Sequence, residues 1–239
     1  MGGVNLVAGF RPGLWQADAP ADLHGFDEDV GFMPATQQDA VLWISGASYD
    51  VVFDVARAAL AELAAVAEVA EETSSWPYHH DRDLTGFIDG TENPTLLDAP
   101  EIVLIPEGLP GAGGTVLLLQ KWAHRAPAWE ALAIPEQEAV IGRRKADSEE
   151  LEDKPADSHV ASTDQDTFGH IFRRNMPYGT VTDHGTMFVG FCAAQEPLQA
   201  MLESMAGLRT GKPDALTGYT TPLTGAYYFV PSATALGSL

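Results

Sequence analysis

The chain has 239 residues, 45% of them hydrophobic, enough to bury a sizeable core without covalent staples in one domain or two small half-domains. Its formal net charge of -21 excludes the basic patch with which a nucleic-acid binder displaces counterions, and disfavours anionic partners wherever arginines do not cluster. A lone cysteine, Cys192 in an apolar run, excludes a disulfide framework within one chain and reads as a buried, inert thiol.

The amino-terminal residues Met1 to Leu6 carry no basic segment leading into a long apolar stretch, and no apolar run approaches a membrane span. The expectation is a soluble, cytoplasmic protein without a membrane partner. Val4 to Phe10 reads as a short strand, followed by a loop rich in Gly, Pro and Asp that reaches Pro34. Ala40 to Ser45 is a strongly apolar strand candidate. A helix is expected from Ser48 to about Ala65, with Val52, Val55, Ala56, Ala59, Leu60 and Leu63 at helical spacing. Val66 to Trp76 reads as a further strand.

A similar order recurs downstream. Thr115 to Trp122 reads as a strand, Trp129 to Ile141 as helix with a proline interruption, and His170 to Met176 and Thr186 to Cys192 as strands. Glu196-Pro197 starts a helix to about Ala206, with proline suited to a first turn, and a last strand lies near Ala226 to Val230. This βαββαβ order predicts an α+β fold of two tandem ferredoxin-like halves with antiparallel sheets and peripheral helices. The first half, residues 1–100, is expected to be incomplete, lacking an initial strand and helix; the second spans 101–239. An open sheet edge follows unless something covers it, and this favours a homo-oligomer.

The most informative segment is Gly86-Phe87-Ile88-Asp89-Gly90-Thr91-Glu92-Asn93-Pro94. Two glycines allow tight turns and close approach of a flat ligand on either side of one carboxylate, and Asn93-Pro94 closes the segment with a turn signal. An isolated Asp-Gly is ordinarily a turn, but the nine-residue string is far more specific. It resembles the signature of the dye-decolorizing peroxidases, and Asp157-Ser158-His159-Val160-Ala161, Ile171 to Gly179 and Gly225 to Pro231 extend the likeness in the same order over nearly the whole chain. The bacterial B-type branch is the most similar.

That resemblance implies haem b, one per chain, as cofactor, with hydrogen peroxide and a bulky phenolic or dye-like organic electron donor as substrates. Seven histidines compete for the iron on spacing alone; the resemblance assigns the axial ligand to His159. Asp214 matches the position of the carboxylate that accepts from the other ring nitrogen, against the plainer reading of an exposed helix-initiating aspartate. Asp89 is the candidate proton shuttle and Arg173 the fixed cation beside it. Asn175 would orient peroxide or water, since alternation along a strand places it with Arg173 and sends Arg174 to the other face. Gly90 and Thr91 are expected beside the cofactor. Arg143 is either a haem propionate partner or part of a basic cluster at a helix C-terminus. The rival function is a haem carrier, sensor or store with little turnover, which would have no use for an Asp89–Arg173 pair.

Overall fold

A computed structural model describes residues 3–16 and 18–238. Strands β1 (Val4–Phe10) and β2 (Ala40–Gly46) precede helices α1 (Tyr49–Leu63) and α2 (Ala99–Val103). Strand β3 (Thr115–His124) leads into α3 (Ala126–Glu130), α4 (Ile134–Ile141), α5 (His159–Ser162) and α6 (Gln165–Phe168). Strands β4 (Phe172–Arg173), β5 (Met176–Gly179) and β6 (His184–Cys192) follow, then α7 (Glu196–Met205), β7 (Thr220–Pro222), β8 (Ala226–Val230) and α8 (Ala233–Leu236). The fold is α+β, as the element order predicts.

All the strand pairs are antiparallel, in one sheet ordered β2-β1-β8-β3-β6-β4, with β5 also on β6 and β7 on β3. Residues 115–230 reproduce the βαββαβ unit. Its first strand, β3, lies between its last, β8, and its third, β6, while β4 and β5 share the outer edge. Alternation along β3 and β8 feeds two cores. Val116, Leu118, Trp122 and Tyr227 pack with Leu198, Met201 and Leu202 of α7 on one face, whereas Leu117, Val189 and Tyr228 pack on the other with Val41 and Trp43 of β2.

The amino-terminal half departs from its expected pattern at one element. Val66 to Trp76 forms no strand; it runs exposed for most of its length and meets the sheet region through a bridge between Ser75 and Tyr178, a bond from Trp76 N–H to the Pro177 carbonyl, and Lys121 of β3, whose Nζ pairs with Glu71 (2.9 Å) and reaches Thr73 Oγ1 (3.4 Å). The second half explains why. There the last strand, β8, is held along its length by the first, β3. No strand precedes β1 among the described residues to serve the segment 66–76 in the same way, and its ladder bonds go to solvent instead. For the same reason β2 is an edge strand. Helix α1 lays Val52, Val55, Ala56 and Ala59 half-buried toward the sheet, while Tyr49, Phe53, Leu60 and Leu63 remain exposed.

The run His170 to Met176 also differs from one continuous strand. It breaks into β4 and β5 at Arg174-Asn175, because the Val189 N–H donates to Asn175 Oδ1 (3.3 Å) where a ladder carbonyl would otherwise accept. The helical reading of Trp129 to Ile141 resolves into α3 and α4, the second of which has Pro135 in its first turn and ends at Gly142 in the left-handed region (φ 93°).

Candidate functional site

A cavity of about 1230 Å³, counting its open mouth, lies against the α7 face of the sheet. Leu118, Ile171, Phe188, Leu198 and Met201 give it apolar walls. Asp89, Gly90, Thr91, Arg143, His159, Arg173 and Asn175 all line it. The fold thus brings together residues distant in the chain, such as Asp89 and Asn175, which are 86 positions apart. Among the seven histidines only His159 and His124 line this cavity.

His159 opens α5, a helix of four residues, which is set by its cap: Ser158, fully buried, accepts from the Ala161 N–H (3.4 Å). The imidazole Nδ1 lies 2.7 Å from Asp214 Oδ2. The two sequence readings of Asp214 merge here, because one oxygen faces His159 and the other, Oδ1, accepts from Leu216 N–H (2.8 Å) to cap the 3-10 turn Ala215–Gly218. Asp214 is only 1% exposed, so the plainer reading is corrected in one respect: this capping aspartate is interior. Burial pulls the His159 pKa down, but the charge and hydrogen bond of Asp214 outweigh it and carry the ring above its ordinary value. With Nδ1–H donated to Asp214, Nε2 is left as the free lone pair.

Asp89 sits in the turn that the sequence predicts, with Gly90 at φ 72°. Its Oδ1 accepts from the Gly90 N–H (2.7 Å) and from Asn175 Nδ2 (3.3 Å). Arg173 and Asn175 are half-buried at the cavity and Arg174 is exposed, the division that alternation predicts, although Arg174 and Asn175 lie in the break between β4 and β5. Arg173 Nε is buried without a hydrogen-bond partner among the described residues. Arg143 directly follows the C-terminus of α4. Its guanidinium pairs with Glu92 and, at 3.3 Å, with Glu150, donates to the Ser148 carbonyl, and leaves Nε buried without a partner among the described residues. Cys192 is buried away from the cavity, with burial pushing its thiol up. No group of three or more metal-ligating side chains occurs among the described residues, and no described helix is long and apolar enough to cross a membrane.

Sequence reasoning missed two titratable cavity residues. Asp83 lies six positions before Asp89; burial, then the Asp89 charge, push its carboxyl up to about 6 despite hydrogen bonds from Thr85. His124, at the end of β3, is pulled down to about 4 by burial and by neighbouring His184, and its Nε2 lies 3.1 Å from Thr186 Oγ1. A chain-local signal exists only for Asp83, whose spacing returns it to the same loop. His124 depends on cross-strand register, with Ala123 opposite Gly185.

The donor set fits a flat, anionic, iron-bearing macrocycle. It has apolar walls, one imidazole with a free Nε2 and a carboxylate behind it, and two buried guanidinium N–H donors still in need of acceptors.

The family model "Dyp-type peroxidase, C-terminal" matches residues 80–235. A dye-decolorizing peroxidase of Brevibacterium linens is 37% identical over 246 residues, covering 96% of this chain and 67% of its own, so the chain spans about two thirds of that relative's length. The structure of a dye-decolorizing protein from V. cholerae superposes with a TM-score of 0.91 at 37% identity, over 98% of this chain and 82% of the other. A variant of DypB from Rhodococcus jostii RHA1 in complex with heme gives a TM-score of 0.89 at 34% identity, over 99% and 82%.

Proposed function

The chain belongs to the Dyp-type peroxidase family, and from that premise we propose that it is a haem b peroxidase that reduces hydrogen peroxide at the expense of a bulky phenolic or dye-like donor. The observation that carries the reading is the convergence on one cavity of an imidazole backed by a buried carboxylate, His159–Asp214, and of Asp89 with Arg173 and Asn175. A carrier or store has no use for the second group.

In this reading His159 holds the iron through Nε2, and Asp214 fixes the ring and raises its basicity. Arg143 and the backbone at Gly90 and Thr91 receive the cofactor's polar edge. Bound haem supplies the redox iron that relays electrons from the donor to peroxide. Asp89 takes the proton from one peroxide oxygen and returns it to the other as the O–O bond breaks, so that two electrons and two protons convert one peroxide to two waters. Arg173 stabilises the anion that precedes each protonation through a guanidinium whose Nε is buried with no partner among the described residues. Asn175 Nδ2, donating to Asp89 Oδ1, keeps that carboxylate aimed.

Reconstitution with haem, followed by mixing with one equivalent of hydrogen peroxide, tests this. We expect a Soret band that shifts within the mixing experiment and peroxide-dependent oxidation of a phenol. Asp89→Ala and Arg173→Leu should each slow the peroxide reaction by at least about a hundredfold while haem is still bound. Haem uptake with no response to peroxide would sink the reading.

A further inference from the structure

Asp89 and Arg173 come from segments 84 positions apart, and their usefulness as a pair depends on what fixes one segment against the other. We propose that Asn93 is the positioning residue for this pair; the proposal rests on the peroxidase reading above. Its carboxamide binds the Arg173 peptide at both ends: Asn93 Nδ2 donates to the Arg173 carbonyl (2.8 Å) and Asn93 Oδ1 accepts from the Arg173 N–H (2.8 Å). One side chain therefore takes the place of a neighbouring strand at β4, whose two residues are too few to define a position by themselves.

The turn is shaped for this clip. Asn93 N–H donates to the Gly90 carbonyl (3.0 Å), which folds the loop back on itself. Gly90 stands at φ 72°, and a Cβ there would come within 2.9 Å of Asn93 Nδ2. The second glycine of the motif thus makes room for the Asn93 amide as well as setting the turn. The circuit closes through Asn175, which accepts from Val189 N–H on one side and donates to Asp89 Oδ1 on the other. Asp89, the turn, Asn93, the Arg173 backbone and Asn175 form a ring in which the 3.3 Å contact from Asn175 to Asp89 is the weaker link and the paired 2.8 Å bonds of Asn93 the stronger. Opening the ring at Asn93 frees the Asp89 loop to shift relative to Arg173, and a displacement of the order of 1 Å at such a pair costs up to about a hundredfold in rate.

The test uses haem-loaded protein and two readouts. In Asn93→Ala the rate constant for reaction with hydrogen peroxide should fall about ten- to a hundredfold, with the KM for the organic donor and haem occupancy unchanged. Asn93→Asp, which keeps the acceptor and loses the donor, should fall between wild type and Asn93→Ala. Because Asn93 acts through Asp89, adding Asn93→Ala to Asp89→Ala should cost little more than Asp89→Ala alone, whereas a merely structural role predicts losses that multiply. Independently of turnover, the Arg173 amide should lose hydrogen-exchange protection in Asn93→Ala, with or without haem, while amides of β3 keep theirs. An Arg173 amide that stays protected, or an Asn93→Ala peroxide rate within twofold of an active wild type, overturns the assignment alone. A wild type inert to peroxide overturns this and the peroxidase reading together.

Discussion

At the scale of single residues, the cavity holds two groups whose ordinary charge states are reversed in direction. His124 is pulled from 6.5 to about 4, so between those values the unfolded chain binds a proton that the folded chain refuses, and stability rises with pH. Asp83 is pushed from 3.8 to about 6, so between those values the folded chain holds a proton that the unfolded chain has lost, and stability falls with pH. In the shared window of about pH 4 to 6 the two slopes oppose, each at most about 1.4 kcal/mol per pH unit. His159, raised above 6.5, acts above that window. Urea unfolding of the haem-free chain at pH 4.5 and 5.5 should therefore tilt in opposite senses in two conservative variants. His124→Gln leaves Asp83 unopposed and makes stability fall more steeply as pH rises. Asp83→Asn leaves His124 unopposed and makes stability climb. Equal slopes in both variants would show that neither group is desolvated as the cavity requires.

At the scale of elements, the site depends on where two short helices meet. Gly142 ends α4 at φ 93°, and a Cβ there would lie 2.8 Å from Ser158 Oγ, the cap that starts α5 and so sets His159. Gly142→Ala would combine left-handed strain with that contact, at a cost of about 1–3 kcal/mol. The expected signature is a lower urea midpoint together with weaker haem retention, because the displaced α5 carries His159, the imidazole proposed above to hold the iron. Loss of stability with haem affinity intact would separate the two helices functionally. Such a junction is not legible from the residues, whereas much else at this scale is. The periodicities of β1, β2, α1, β3 and α7 declare themselves because each is a local pattern that a large neighbouring surface rewards. Val66 to Trp76 sets Val66, Val69, Thr73 and Trp76 among alanines, glutamates and serines, too few strand-favouring residues to hold a ladder without a neighbouring strand. The break at Arg174-Asn175 was hidden for the complementary reason, since a side-chain amide does the work of a backbone carbonyl. Asn93 was visible in the motif as a turn residue. Its bond to Arg173 was not, because it spans 80 positions.

At the scale of the whole molecule, 34 acidic against 13 basic side chains set the field through which any donor approaches. The acids are dense where the chain is most exposed, as with Asp50, Asp54 and Glu62 on α1 and Glu68, Glu71 and Glu72 beyond it. Inside the cavity the balance differs. The Arg143 charge is taken up by Glu92 and Glu150, and Arg173 has no ion pair among the described residues. An anionic dye therefore meets repulsion over the surface before it meets a cation within, whereas hydrogen peroxide, being neutral, meets neither. Salt shortens the reach of that field from about 30 Å at 0.01 M to about 10 Å at 0.1 M. Between those concentrations kcat/KM for a sulfonated dye should rise about three- to tenfold, that for a cationic dye should fall by a similar factor, and that for an uncharged phenol should stay flat. Steady-state oxidation of the three donors at fixed peroxide makes the comparison. If the anionic and cationic donors respond alike, the slow step lies beyond encounter and the surface charge serves solubility alone.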